Sequence, residues 1–169
     1  IPGAAGHTVS FYSFSKDWGF AGWRVGYMVM PSHLHPEVTK VQDTVLVCPA
    51  IASQWAALGA LEAGPSFLRA RVAELDRVRK SALEALQAVA GVVDVPVADG
   101  AFYLMLRVRT RLAPMTVVER LIREHRVAVL PGPAFGIEDG CSLRVSYGAL
   151  DAQTVETGIG RLVNGLQAI

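Results

Sequence analysis

Two cysteines are the whole thiol content of this chain, and Cys48 and Cys141 lie too far apart to form a CxxC pair. That spacing excludes a zinc-ribbon or thioredoxin-like motif, so two buried thiols in a reducing cytoplasm are expected. Charge of one sign is also lacking: 16 Lys and Arg stand against 15 Asp and Glu, for a formal net charge of +1. Such a balance offers no electrostatic case for nucleic acid or an anionic membrane as partner. Apolar runs stay far below the ~20 residues of a spanning helix. Neither a secretory-signal pattern nor a lipidation motif is visible, which also points to the cytoplasm. His33 and His35 have no second cluster to complete a ligand set, and no metal site is expected. Methionine is missing from the first position, where Ile1-Pro2-Gly3 stands. Such a start fits either a processed protein or a piece of a longer one.

What is present suits a packed protein. Hydrophobic residues make up 51% and charged residues 18% of the 169 positions, a balance that supports a core and argues against disorder. Residues 8–13 (TVSFYS) favour a buried strand, residues 14–22 a glycine-bearing loop, and residues 23–30 (WRVGYMVM) a second strand stopped by Pro31. Pro36 suits the first turn of a helix through Lys40 and Gln42, and residues 49–63 form another helix ending at Gly64-Pro65. With Ser66 as expected N-cap, a long amphipathic helix covers residues 67–89, its apolar stripe running through Leu68, Val72, Leu75, Val78, Ala82, Leu83 and Leu86. Short elements follow: strands over 92–97, 101–108, 128–130 and 142–147, and a helix over 116–125 with a capping box from Thr116 to Glu119. Asp151 is placed to cap a last helix reaching Leu166.

The most informative stretch is residues 13–27, SFSKDWGFAGWRVGY. Lys16 is one of three lysines, and it sits between an expected strand and a loop with two glycines. A lysine at a strand end in an apolar setting becomes a nucleophile when its ammonium is destabilised. Arg24 falls inside the second expected strand, where a buried guanidinium demands an anion. With Ser13 and Ser15 alongside, the set describes a phosphate site beside an amine. The tryptophans Trp18 and Trp23 read as core packing. Ser13-x-x-Lys16 also matches the S-x-x-K of serine acyl enzymes, but the accompanying S-D-N and K-T-G are not in the chain.

The same fifteen residues resemble the signature of class I and II aminotransferases, roughly S-x-S-K-x-x-G-x-x-G-W-R-x-G-Y. By that resemblance Lys16 forms the Schiff base with pyridoxal 5'-phosphate and moves the proton between substrate and cofactor. Arg24 forks onto the cofactor phosphate, Ser13 binds it too, and Ser15 supplies a second hydroxyl. Gly19, Gly22 and Gly26 permit close approach or sharp turns. Residues 100–104 (GAFYL), 130–136 (LPGPAFG) and 142–147 (SLRVSY) match further family motifs in order. The last makes Arg144 the candidate clamp for the substrate's α-carboxylate, with Phe135 and Tyr103 read as packing residues.

The resemblance implies an α/β chain, the C-terminal part of a PLP-dependent fold type I large domain followed by a small α+β domain. Residues 1–64 would belong to the large domain and 65–169 to the small one. It implies transfer of an amino group between an α-amino acid and a 2-oxo acid, in enzymes that work as homodimers with sites at the subunit interface. A lyase or decarboxylase on the same scaffold is one alternative, and a fragment with little cofactor binding is another. Family members carry a long N-terminal half before the lysine, which supplies an aspartate to the pyridine nitrogen. Here no aspartate precedes Lys16, and Asn164 is the single asparagine.

Overall fold

The computed structural model describes residues 1–148 and 151–169. The chain forms two compact units, Ile1–Ala70 and Arg71–Ile169.

In the first unit, β1 (Ser10–Ser13) pairs antiparallel with β2 (Gly26–Val29), Ser13 opposite Gly26 and Ser10 opposite Val29. Gly26 is required by contact: a Cβ there would lie 2.5 Å from the Tyr12 carbonyl oxygen. Tyr12 and Tyr27 stack across the ladder with ring centroids 4.8 Å apart. Two helices follow, α1 (His35–Val45), with proline in its first turn, and α2 (Ile51–Ala63). The buried centre is small: Phe14, Val25, Ala57 and Ala60, with Trp18 and Phe20 packed on it.

The second unit is built on an antiparallel four-stranded sheet of order β3-β4-β6-β5, comprising β3 (Val93–Asp94), β4 (Tyr103–Val108), β5 (Leu130–Pro131) and β6 (Cys141–Ser146). Side-chain alternation on β4 and β6 sorts the faces. Leu104, Leu106 and Val108 lie opposite Val145, Leu143 and Cys141, and all six are buried. They join one core with residues of three helices: α3 (Pro65–Leu86), α4 (Pro114–His125) and α5 (Ala152–Gln167). On α5 the buried residues Val155, Ile159, Leu162 and Leu166 recur at helical spacing. Asp151 caps that helix as expected, its carboxylate accepting from the Thr154 backbone N–H at 2.9 Å.

Several local expectations are corrected. The 8–13 strand is not buried; β1 begins at Ser10, and a two-stranded ladder leaves Phe11 and Tyr12 exposed. The second strand begins at Gly26, because residues 21–23 form a 3₁₀ turn and Arg24 adopts a left-handed conformation. Ser66 does not cap α3; the helix starts at Pro65, whose fixed φ suits a first position. Its apolar stripe is buried only toward the C-terminal end, at Val78, Ala82 and Leu86, while Val72 is exposed; the helix closes at Leu86 and a 3₁₀ turn takes residues 87–89. Likewise Pro114 opens α4 after Ala113, which places Thr116 inside the first turn and leaves the capping box unformed. The 92–97 strand shortens to the two-residue β3, and the 128–130 strand moves to the two-residue β5, which takes in Pro131. Cys141 is buried, but Cys48 lies exposed in the α1–α2 connection, contrary to the expected pair of buried thiols.

Candidate active site

The β1–β2 connection carries the first group of candidate residues. Ser13 ends β1, and its Oγ accepts a hydrogen bond from the Ser15 backbone N–H at 3.1 Å. Lys16 follows in a turn closed by the Gly19 N–H donating to the Lys16 carbonyl at 3.3 Å, with Gly19 at φ 70°. The Lys16 side chain is exposed, so the apolar setting expected for it is not found in this chain. Phe14, by contrast, is 3% exposed and anchors the loop, its N–H bonded to the Val25 carbonyl and its carbonyl to the Phe20 N–H. Trp18 packs face to face on Phe67, centroids 5.6 Å apart. Trp23 is not core: it is 49% exposed and leans on Phe20.

Arg24 sits at φ 53°, a conformation that costs a residue with a Cβ about 1–2 kcal/mol. Its Nη1 donates to the Ala21 carbonyl at 2.7 Å, which folds the side chain back over its own turn. The guanidinium is exposed rather than buried in a strand, so solvent, not burial, balances its charge. Among the described residues neither Lys16 nor Arg24 forms an ion pair, leaving both cations free for an anionic ligand. Arg24 lines a cleft of about 610 Å³ together with Gly19, Gly22, Trp23, Cys48 and Ser53. Lys16 does not line that cleft.

In the second unit Arg144 lies on β6 opposite Met105, on the sheet face turned away from the helices. Alternation puts it there, since its neighbours Leu143 and Val145 point into the core. Two aromatic rings hold its guanidinium. Phe135, from the turn after β5, stands 4.2 Å from it and Tyr103, at the start of β4, 5.0 Å. The Nε atom is buried without a hydrogen-bond partner. Phe135 and Tyr103, expected as packing residues, pack here on a cation, and both are exposed. The turn is held close to β6 by Gly132, where a Cβ would meet the Ser142 Cβ at 2.7 Å.

Sequence reasoning missed two things here. One is the aromatic pair around Arg144, whose signal was the position of Tyr103 two residues from the strand partner of Arg144. The other is Ser53, 5% exposed, whose Oγ donates to the Trp23 carbonyl at 2.8 Å. Its signal was a lone hydroxyl in the small apolar run of α2. Among the described residues no helix is long and apolar enough to cross a membrane.

The family model described as "Aminotransferase class I and II" matches residues 3–162. An aromatic aminotransferase of Arabidopsis thaliana is 35% identical over 167 residues, 96% of this chain and 42% of its own length. An aspartate aminotransferase of Rhizobium meliloti is 31% identical, over 92% of this chain and 40% of its own. Among solved structures, an aromatic aminotransferase from Pyrococcus horikoshii superposes with a TM-score of 0.87 at 31% identity, covering 99% of this chain and 45% of that one. The mixed α/β architecture is therefore that of the aspartate-aminotransferase-type folds. The chain spans about two-fifths of the length of the curated relatives it matches.

Proposed function

The chain belongs to the class I and II aminotransferases, and from that premise we propose that it is the lysine- and arginine-bearing part of a pyridoxal-phosphate-dependent transaminase. In this proposal residues 1–64 are the C-terminal part of the cofactor-binding large domain and residues 65–169 the small domain. The substrates are an α-amino acid and a 2-oxo acid, and the working enzyme is a cytoplasmic homodimer.

The observation that carries the proposal is the donor set on one short connection: an amine at Lys16, hydroxyls at Ser13 and Ser15, and an exposed Arg24 guanidinium that forms no ion pair and gives one Nη1 hydrogen bond to the Ala21 carbonyl. Such a set fits pyridoxal phosphate in kind, because a phosphate dianion takes charge-assisted bonds from arginine and hydroxyls while an aldehyde requires a primary amine. When bound, that cofactor supplies an aldehyde and an electron-withdrawing ring that acidifies the substrate's Cα–H. Lys16 holds and returns the proton at its Nζ, and an exposed, unpaired amine is free to do so. Arg24 and Ser13 fix the phosphate. Arg144 binds the substrate carboxylate, its plane set by Phe135 and Tyr103, so that carboxylate position follows from β6 rather than from a mobile side chain.

The test is an absorbance titration with pyridoxal 5'-phosphate. A near-visible band is expected in the unaltered protein and none in Lys16→Ala of unchanged fold. Survival of the band in Lys16→Ala would refute the assignment. In active protein Arg24→Ala should weaken cofactor retention, whereas Arg144→Ala should raise KM for the amino acid. If Arg144→Ala lowered cofactor affinity alone, its role here would be wrong.

A further inference from the structure

Ser53 belongs to α2, thirty residues from the loop it touches, and it is one of two buried polar residues among those described. A serine in a helix can return its hydroxyl to the carbonyl four residues back, although for Ser53 that residue, Pro49, precedes the first turn of α2. Here that carbonyl, on Pro49, accepts instead from Gln54 Nε2 at 2.8 Å. The Ser53 hydroxyl turns outward from its helix and donates to Trp23. Trp23 is the residue immediately before Arg24, so the captured carbonyl lies in the same peptide plane as the Arg24 N–H. Arg24 occupies the left-handed region, which a residue with a Cβ keeps only where the surroundings hold it. The Ala21 carbonyl grips the side chain from one end of the turn, and Ser53 grips the backbone from the other. Ser53 and Arg24 also line the same cleft.

We propose that Ser53 is a positioning residue for Arg24: its hydroxyl locks the Trp23–Arg24 peptide so that the guanidinium is presented to an anion in the cleft. This role rests on Arg24 holding the cofactor phosphate, and it deepens that assignment by naming what sets the arginine's geometry. An alanine would fit the helix and favour it intrinsically. It would leave the Trp23 carbonyl without the donor that Ser53 supplies.

The experiment compares two ligands that differ only in the phosphate. The purified protein is titrated spectroscopically with pyridoxal 5'-phosphate and, in parallel, with pyridoxal. In the unaltered protein the phosphate ester should bind more tightly. Ser53→Ala should weaken the phosphate ester by about tenfold, the scale of one lost hydrogen bond, while binding of pyridoxal stays within about twofold. Ser53→Thr keeps the hydroxyl and should restore the preference. In an Arg24→Ala background, Ser53→Ala should change the preference no further. Equal weakening of both ligands would show a merely structural role and overturn the proposal, as would an unchanged preference in Ser53→Ala. If Ser53→Ala does not fold, Ser53→Cys, with its poor donor, carries the same comparison. A protein that from the start binds the two ligands equally would instead sink the assignment of Arg24 itself, and the role of Ser53 with it.

Discussion

One helix supplies a prediction in which the same substitution has opposite signs at two positions five residues apart. On α5, Gly160 is exposed, and a Cβ built there meets no atom within 4 Å. Replacing it with alanine removes the backbone freedom of glycine and should stabilise by about 0.5–1 kcal/mol. Gly165 has the same intrinsic gain available, but its Cβ would lie 2.4 Å from Leu121 Cδ2 and 3.1 Å from the His125 ring. His125 is half-buried and has room to give, whereas Leu121 is 0% exposed at the packing of α4 on α5. Forcing a methyl into such a site costs about 1–3 kcal/mol, which exceeds the propensity gain. Gly165→Ala should therefore destabilise by roughly 1 kcal/mol net, placing the two variants about 1.5–2 kcal/mol apart. Urea unfolding followed by far-UV circular dichroism measures both, at matched m-values. Because the atom in conflict is a δ-methyl, Gly165→Ala combined with Leu121→Val should lose less than the sum of the single losses. Stabilisation by Gly165→Ala alone, or strict additivity of the pair, would refute the packing argument.

Other consequences are as direct. Phe135→Leu keeps the bulk but removes the π face over Arg144, a contact worth about 0.5–2 kcal/mol, so KM for the amino acid should rise roughly 2- to 30-fold at nearly constant kcat. A fall in kcat alone would contradict it. Val47 stands at φ 63° while its side chain is largely exposed, so Val47→Gly should raise the unfolding midpoint by relieving about 1 kcal/mol of strain. The Asp151 carboxylate is held below its ordinary value by hydrogen bonds from the Thr154 side chain and backbone. Folding thus favours its ionised form, and the stability it contributes is present above the unfolded carboxylate value and is lost as pH falls through the lower folded one. Thermal midpoints recorded across acid pH should drop more steeply in the unaltered protein than in Asp151→Asn; parallel curves would contradict the linkage.

Much of this molecule was legible without its fold where a pattern repeats along one element. The apolar run of residues 101–108 and the alternation of residues 142–147 named β4 and β6, and placed Arg144 on the second. The spacing of Val155, Ile159, Leu162 and Leu166, opened by Asp151, named α5. The fifteen residues around Lys16 named the family, because chemistry on a short connection needs its residue types in a set order. Such signals survive in sequence since they depend on neighbours two to four positions away.

Where proline competes with a capping hydroxyl, the local signals conflicted. Pro65 and Pro114 opened their helices one and two residues before the expected caps Ser66 and Thr116, because a fixed φ decides the first turn before a side-chain bond does. The rest waited for tertiary structure. Only the register of β4 on β6, and the turn carrying Phe135, bring two rings to Arg144. Only the approach of α2 delivers the Ser53 hydroxyl to Trp23 and supports a left-handed Arg24 where a strand was expected. Those contacts join residues 9 to 41 positions apart, and no periodicity spans such distances. They exist because burial of apolar faces moves whole elements together, and the polar groups carried on them then find partners that their own segment could not provide.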